Sequence, residues 1–348
     1  MKDIVAKRIK SARVIAGLSL RELSKMMEPS VSYNAIAKYE NADMMPDSKV
    51  LIALSKALRV KPDYFFRPYT VSIQNMAFRK RQKLGMKKIS ALKEEITETL
   101  SRYLEVEQFL NIETSFHNPI SNIQIKNGED VEKAVEQLIQ YWKIGINAIP
   151  NVIEMLEDKE IKVIETDAPS EFDGLSGWAD ENIPVIVVNK NYENERKRFN
   201  ALHELGHTIL QFDKNLSEKE VEKLCHRFAG ALLIPKETFF NELGTKRTSI
   251  SLNELKTIKE SYGISIQAIM ARAKDLEVIS PNTFIQFRIQ ISKNRIEKGL
   301  GQYIGKERSD RFRALVFRAA SEEIISMSKA ANLCNQKLAS FRDEFVTI

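Results

Sequence analysis

The chain has little cysteine and little histidine, and it has no long apolar run. Cys225 and Cys334 are its two cysteines, too few for a disulfide framework or for a zinc site made of cysteines alone. No run approaches the roughly 18 apolar residues that a membrane span needs. The first eight residues carry charges where a signal peptide would have its apolar stretch. We therefore expect a cytoplasmic protein that does not associate with a membrane.

The composition indicates a folded protein with a basic N-terminal segment. A length of 348 residues, with 43% hydrophobic and 29% charged residues, is typical of two or three globular domains. Residues 1–68 hold 13 of the 53 basic residues and 7 of the 47 acidic residues. Their excess of six basic residues equals the net charge of +6 of the whole chain. This distribution favours nucleic-acid binding by the N-terminal segment, although a solvated basic surface alone is common.

The N-terminal segment has the pattern of five short helices. Apolar residues recur at helical spacing from Ile4 to Ala16, and Gly17 ends the first helix. Ser19 and Glu22 form a capping box that opens the second helix, and Ser32 caps a third helix after a turn. Two further helices begin near Pro46 and Pro62. A capped helix, a turn and another helix at positions two and three predict a helix-turn-helix.

Residues 4–67 resemble the Xre/Cro-type family of DNA-binding domains. The resemblance rests on Arg13, Gly17-Leu18-Ser19, Leu23, Val31-Ser32, Ile36, Tyr39-Glu40-Asn41, Pro46-Asp47, Leu51, Leu54-Ser55, Leu58, Val60, Asp63 and Phe65. It implies that a homodimer binds a double-stranded DNA operator with the third helix in the major groove. The residues that it implies for DNA contact are Arg13, Arg21, Ser32, Tyr33, Asn34, Ala35 and Lys38. The alternative is a helical protein-protein domain on the same scaffold.

An H-E-x-x-H motif, His203-Glu204-Leu205-Gly206-His207, lies in a predicted helix from about Glu193 to Leu210. Histidines at positions i and i+4 share one helical face, so both can reach one metal ion. A carboxylate between them lies where it can take a proton from a water bound to that ion. The motif therefore predicts zinc-dependent hydrolysis with Glu204 as the base.

Zinc in a hydrolase needs a third protein ligand, which must come from elsewhere in the chain. Ser217 and Glu220 form a capping box at the start of the next helix, on which Glu222 and His226 lie one turn apart. We assign Glu222 as the third ligand. His226 then lies where it supports a ligand histidine or stabilises charge on the scissile carbonyl. The alternative is that His226 itself is the third ligand.

Residues 145–280 resemble the ImmA/IrrE family of metallopeptidases. The resemblance rests on Arg196 to His207, on Glu222 with Arg227 to Pro235, on Asp173 to Gly177 and on the strand at 184–189. It implies zinc bound by His203, His207 and Glu222, with Glu204 as the catalytic base. It also implies a cytoplasmic bacterial protein, often linked to mobile elements, that cleaves or relieves a DNA-binding repressor. His226 stands where the family usually has Asn.

The predicted fold is mostly α with a small sheet (α+β). We expect an Xre-type domain at 1–68, a helical bridging region at 69–144, a zincin-like domain at 145–280 and a helical region at 281–348. Within them we expect a strand at 161–164, a glycine turn at 173–178, a strand at 285–291 and one helix over 311–332. We also expect a strand at 184–189, which is either an edge strand that can pair with an extended substrate peptide or an ordinary sheet strand.

Two functions that differ in their chemistry are compatible with these features; a third, a toxin-antitoxin-type component whose peptidase domain is held silent until a signal arrives, shares the chemistry of the first. The first is a regulatory zinc metallo-endopeptidase that binds an operator and cleaves a repressor, an antitoxin or its own chain. The second is a transcription regulator whose zinc domain senses or scaffolds without turnover. The intact Glu204 favours the first, because a purely structural site needs no base.

Overall fold

A computed structural model describes residues 1–67, 71, 73–74 and 85–345 of the chain. It is mostly helical with small sheets, which confirms the predicted fold class. None of the helices in the described part is long and apolar enough to cross a membrane. Two compact units are present, one of Met1–Ile73 with Phe78–Gln108 and the other of Gln74–Ala77 with Phe109–Ile348. The range 69–144, expected to be one bridging region, is thus shared between the two units.

Unit 1 is built from short helices with side-chain caps. It contains α1 (Lys2–Ile15), α2 (Leu20–Met26), α3 (Tyr33–Glu40), α4 (Ser48–Leu58), a 3-10 helix (Pro62–Phe66) and α5 (Met86–Phe109), and the short strand β1 (Ile73–Gln74) lies at its boundary. Ser19, Ser32 and Asp47 each accept a backbone hydrogen bond at the start of a helix, and the caps at Ser19 and Ser32 were expected from the sequence. The apolar core includes Ile36 and Phe65, which are fully buried.

Helix α5 belongs to unit 1 through buried ion pairs. Arg8 of α1 is 1% exposed and pairs with Glu98 of α5. Arg67 donates to both Glu98 and Glu105, each at 3.0 Å. The ring of Tyr64 lies 5.2 Å from the Arg8 guanidinium and covers it. Two arginines therefore attach the acidic face of α5 to the helix-turn-helix bundle.

Unit 2 places helices around a small sheet. It contains β2 (Gln124–Ile125), α6 (Gly128–Trp142), α7 (Val152–Asp158), β3 (Lys162–Thr166), β4 (Gly174–Ala179), β5 (Ile183–Asn189), α8 (Asn194–Ile209), β6 (Gln211–Phe212), α9 (Glu218–Leu233), α10 (Lys236–Leu243), α11 (Leu252–Tyr262), α12 (Ile266–Asp275), α13 (Pro281–Ile291), a 3-10 helix (Ser292–Asn294), α14 (Arg311–Ser321), α15 (Met327–Leu333) and α16 (Leu338–Glu344). Strand β5 runs antiparallel to β4 and parallel to β3. Buried side chains of α6 to α12 and of the sheet form one core.

One expectation about the sheet was wrong, and one of the two alternatives for the strand at 184–189 is excluded. Residues 174–179 form strand β4 rather than a glycine turn. Gly174 is explained by close packing and not by a turn, since a Cβ there would lie 2.9 Å from the carbonyl oxygen of Val187. Strand β5 is not an edge strand, because β3 and β4 pair with it on both sides. Its apolar run Val185–Val188 is buried, as expected for a central strand.

Two expectations about the C-terminal region were also wrong. Residues 281–291 form helix α13 rather than a strand, with Ser280 as its cap and Pro281 at its first position. Its inward residues Phe284 and Phe287 are three apart, which is helical spacing. The single helix expected over 311–332 is broken, because Glu323 takes a φ of 55° and Ser326 caps a new helix.

An irregular segment at 301–308 is bonded to the first two turns of α8. The Arg198 guanidinium of α8 and the Glu307 carboxylate pair at 2.8 Å with both side chains fully buried. Arg198 also donates to the carbonyl oxygen of Ile149 at 2.6 Å, and the Tyr303 hydroxyl donates to that of Pro150 at 2.8 Å. Burial raises the pKa of Glu307, although Arg198 opposes the shift. The segment therefore fixes the start of α8 against the loop that precedes α7.

Candidate metal centre and DNA-contacting face

Helix α8 brings the two histidines of the motif together. His203 and His207 lie one turn apart, and their Nε2 atoms are 3.1 Å from each other. The two rings stand nearly perpendicular, with centroids 4.6 Å apart. Both Nε2 lone pairs therefore converge on one position beside the helix.

Helix α9 adds the carboxylate of Glu222 to this pair. Its Oε2 lies 3.4 Å from His203 Nε2, and its Oε1 lies 3.6 Å from His207 Nε2. Gly206 makes the approach possible, because a Cβ there would lie 3.2 Å from Phe228 Cδ1 and 3.5 Å from the Cβ of Cys225. Among the described residues, His203, His207 and Glu222 form a group that can hold a metal ion.

The spacing of these atoms fits zinc. Four ligands in a tetrahedron at about 2.1 Å from zinc lie about 3.4 Å from one another. The two Nε2 atoms are 3.1 Å apart, and they lie 3.4 and 3.6 Å from the two different carboxylate oxygens of Glu222. Two imidazoles and one carboxylate are also the donor set of zinc hydrolases, in which the fourth position is open. The expected third ligand, Glu222, thus lies within reach of both histidines.

Glu204 lies on the side of α8 that faces strand β4. It is 8% exposed, and its Oε2 accepts a hydrogen bond from the Ser176 hydroxyl at 2.9 Å. A Cβ on Gly174 would lie 3.3 Å from Glu204 Cγ, so the glycine leaves room for this side chain. Sequence reasoning missed Ser176. The alternation of Gly174, Ser176 and Trp178 in a strand was the signal available, because these residues share one face.

His226 is exposed and takes part in a stack of rings. Its ring centroid lies 4.3 Å from that of His203 and 5.7 Å from that of Phe199. It is absent from the group that can hold a metal ion. This geometry disfavours His226 as the third ligand and leaves its imidazole at the rim of the site.

The residues expected to contact DNA divide into two sets in unit 1. Ser32, Tyr33, Asn34 and Lys38 are exposed on α3 or at its start, and Ala35 is half-buried. Arg21 of α2 is exposed, and its guanidinium lies 5.3 Å from the centre of the Tyr33 ring. These residues form one surface.

Arg13, which was also expected to contact DNA, has partners inside the domain. Its guanidinium donates to both oxygens of Glu40, at 2.6 and 2.7 Å, and to the carbonyl oxygen of Leu18 at 2.8 Å. Its side chain is 14% exposed. Because its donors are engaged inside the domain, Arg13 joins α1 to α3 rather than extending the exposed surface.

Two comparisons with known protein families agree with this architecture. Residues 9–65 match the family model described as helix-turn-helix, and residues 156–274 match the one described as IrrE N-terminal-like domain. No curated protein sequence matches the chain. The first match supports a DNA-binding regulator, and the second supports a metallopeptidase domain. The chain therefore joins an Xre-like helix-turn-helix domain to an IrrE/ImmA-like peptidase domain.

Proposed function

We propose that this protein is a DNA-binding regulatory zinc metallo-endopeptidase that cleaves a regulatory protein: a repressor, an antitoxin or its own chain. The observation that carries the proposal is the convergence of His203, His207 and Glu222 beside a carboxylate, Glu204, that is not part of the ligand group. A structural zinc site needs no such fourth group. The cytoplasm is the compartment in which such a regulator would meet its operator.

The residues of the site take separate roles in amide hydrolysis. His203, His207 and Glu222 would hold zinc, which would supply a lowered pKa of a water molecule and polarisation of a carbonyl group. Glu204 accepts the proton of the attacking water and then donates a proton to the leaving amine. Ser176 holds the Glu204 carboxylate in place through its hydroxyl. His226, at the rim, donates a hydrogen bond to the carbonyl oxygen of the scissile amide.

Unit 1 binds DNA and selects the DNA site. Tyr33, Asn34 and Ala35 at the start of α3 contact base edges, and Lys38 and Arg21 contact phosphates. The excess positive charge of residues 1–68 supports this assignment. We propose that the protein acts as a homodimer, since helix-turn-helix readers commonly bind paired half-sites.

The test is a comparison of new protein N-termini in cells that carry wild type, Glu204→Gln or Glu220→Gln. Glu204→Gln removes the base and keeps the ligand group, so N-termini that depend on the peptidase should fall at least about 100-fold. Glu220→Gln changes an exposed carboxylate of the helix cap and should leave them unchanged. If no N-terminus depends on Glu204 and regulation is unaltered in Glu204→Gln cells, the zinc domain is a sensor or scaffold and our proposal is wrong.

A further inference from the structure

Cys225 of α9 packs against Gly206 of the motif helix α8. It is fully buried, and its Cβ would lie 3.5 Å from a Cβ on Gly206. With no side chain on Gly206, the thiol of Cys225 reaches the next residue of α8, His207. The side chain of His207 is 5% exposed, so this contact is shielded from water.

The two nitrogens of the His207 ring have different surroundings. Nε2 faces His203 Nε2 at 3.1 Å and Glu222 Oε1 at 3.6 Å. Nδ1 lies 3.0 Å from the Sγ atom of Cys225. An imidazole that gives its Nε2 lone pair to a metal carries its hydrogen on Nδ1, and the acceptor next to that hydrogen fixes the ring. In this protein the atom next to His207 Nδ1 is the sulfur of Cys225.

We propose that Cys225 is a positioning residue for the metal site, which accepts a hydrogen bond from His207 Nδ1–H and holds Nε2 toward the ion. This inference rests on the proposed zinc function. A thiol sulfur is a weak acceptor compared with a carboxylate or a carbonyl oxygen. Its contribution is therefore the orientation and tautomer of the ring rather than added negative charge.

Packing alone is the competing explanation, since a buried cysteine also behaves as a small apolar side chain. Two substitutions separate the explanations. Cys225→Ala removes the acceptor and most of the volume, whereas Cys225→Ser keeps an acceptor in a polar side chain. Cys334→Ser, at the half-buried second cysteine in the C-terminal helices, is the matched control.

The probe is the metal alone, as Zn²⁺ affinity measured by competition with a chelator at fixed pH on the full chain. We expect Cys225→Ala to bind Zn²⁺ about tenfold or more weakly than wild type, in the range seen when a partner of a ligand histidine is lost. Cys225→Ser should stay within about threefold of wild type, and Cys334→Ser should match it. The thermal midpoint of each metal-free variant reports any loss of folding separately.

The outcomes distinguish this inference from the proposed function. If Cys225→Ala binds Zn²⁺ as wild type does, or if Cys225→Ser is as weak as Cys225→Ala, the positioning role is wrong and the metal site stands. An intense near-ultraviolet thiolate-to-cobalt band in the Co²⁺-loaded wild type would also overturn it, because Cys225 would then be a ligand. If the wild type binds no Zn²⁺, the proposed function itself fails.

Discussion

The Ser176 hydroxyl donates a hydrogen bond to Oε2 of Glu204 at 2.9 Å, and so connects strand β4 to the motif helix α8. Glu204 is 8% exposed, and its side chain lies over Gly174, on the same face of β4 as Ser176. A buried carboxylate that must accept and return a proton needs a fixed direction as well as a position. Two residues of β4 supply these. The hydroxyl of Ser176 fixes the direction of the carboxylate, and Gly174, which has no Cβ, leaves room for its position.

Loss of the Ser176 hydroxyl should slow catalysis without removing the metal. A hydrogen bond to a charged group is worth about 1.5–3 kcal/mol, so kcat of Ser176→Ala should fall roughly 10- to 100-fold with little change in KM. Kinetics on the substrate identified with Glu204→Gln would measure this. The exposed Ser170 gives the control Ser170→Ala, which should behave as wild type. Unchanged kcat in Ser176→Ala would show that the hydrogen bond has no catalytic role.

Substitution of the third ligand should act on metal binding first. Glu222→Gln replaces a charged ligand oxygen with a neutral amide, so we expect Zn²⁺ affinity to fall at least about 100-fold. Chelator competition measures the change. Glu220→Gln, two residues earlier on α9, keeps a side-chain oxygen that can accept from the Ser217 N–H of the capping box, so metal affinity should be retained and the thermal midpoint should change little. Equal affinities in the two variants would remove Glu222 from the ligand set.

Substitutions in unit 1 should separate DNA contact from folding. Asn34→Ala should cost about 1–3 kcal/mol of specific binding, and Lys38→Ala should weaken binding to all sequences and reduce the salt slope by about 1. Arg13→Ala should instead lower the unfolding free energy by about 2 kcal/mol, since it removes the bidentate pair with Glu40. Titrations with DNA selected from a random pool, together with thermal unfolding, test the division. A stable Arg13→Ala protein with weakened DNA binding would reverse the role that we give to Arg13.

Removal of Arg198 should destabilise unit 2 in a pH-dependent way. Arg198→Met leaves the buried Glu307 carboxylate without its cation, which costs about 3–5 kcal/mol in comparable pairs. Burial already raises the pKa of Glu307, and the loss of Arg198 raises it further. The folded state then holds a proton that the unfolded state releases, so its stability falls as pH rises above the ordinary value of 4.5. Chemical unfolding at pH 5 and pH 7 should show the larger deficit at pH 7.

The control for this variant is an exposed ion pair. Arg318 and Glu322 lie one turn apart on the surface, with side chains 57% and 47% exposed. Glu322→Gln should change the unfolding free energy by less than about 1 kcal/mol at either pH. A deficit in Arg198→Met that is the same at both pH values would contradict the prediction, because it would show that the loss of Arg198 does not change the protonation of Glu307 in the folded state.

Several elements of both units were predictable because local chemistry specifies them. Capping serines define the starts of α2, α3 and α9, and the histidine spacing alone places His203 and His207 together. Glu222 could be assigned as the third ligand from the sequence, because a zinc hydrolase needs three protein ligands and the next capped helix carries this carboxylate.

The remaining features depend on contacts between distant segments. Gly174 and Gly206 are needed because Glu204 and Phe228 pack against them. Both neighbours are distant in sequence, so the need for glycine could not be predicted from the residues nearby in the chain. The contacts of Ser176 with Glu204 and of Cys225 with His207 likewise form only when β4 and α9 pack against α8. In α13, the alternating isoleucines suggested a strand, but Ile285 and Ile289 are 54% and 66% exposed and the phenylalanines face the core.

The most direct test of the account is the zinc content of the purified, metal-replete protein. We predict about one Zn²⁺ per chain in the wild type and in Glu204→Gln, and none in the double variant His203→Ala with His207→Ala. A wild-type chain without zinc, or a double variant that retains it, would contradict a metal centre at these residues.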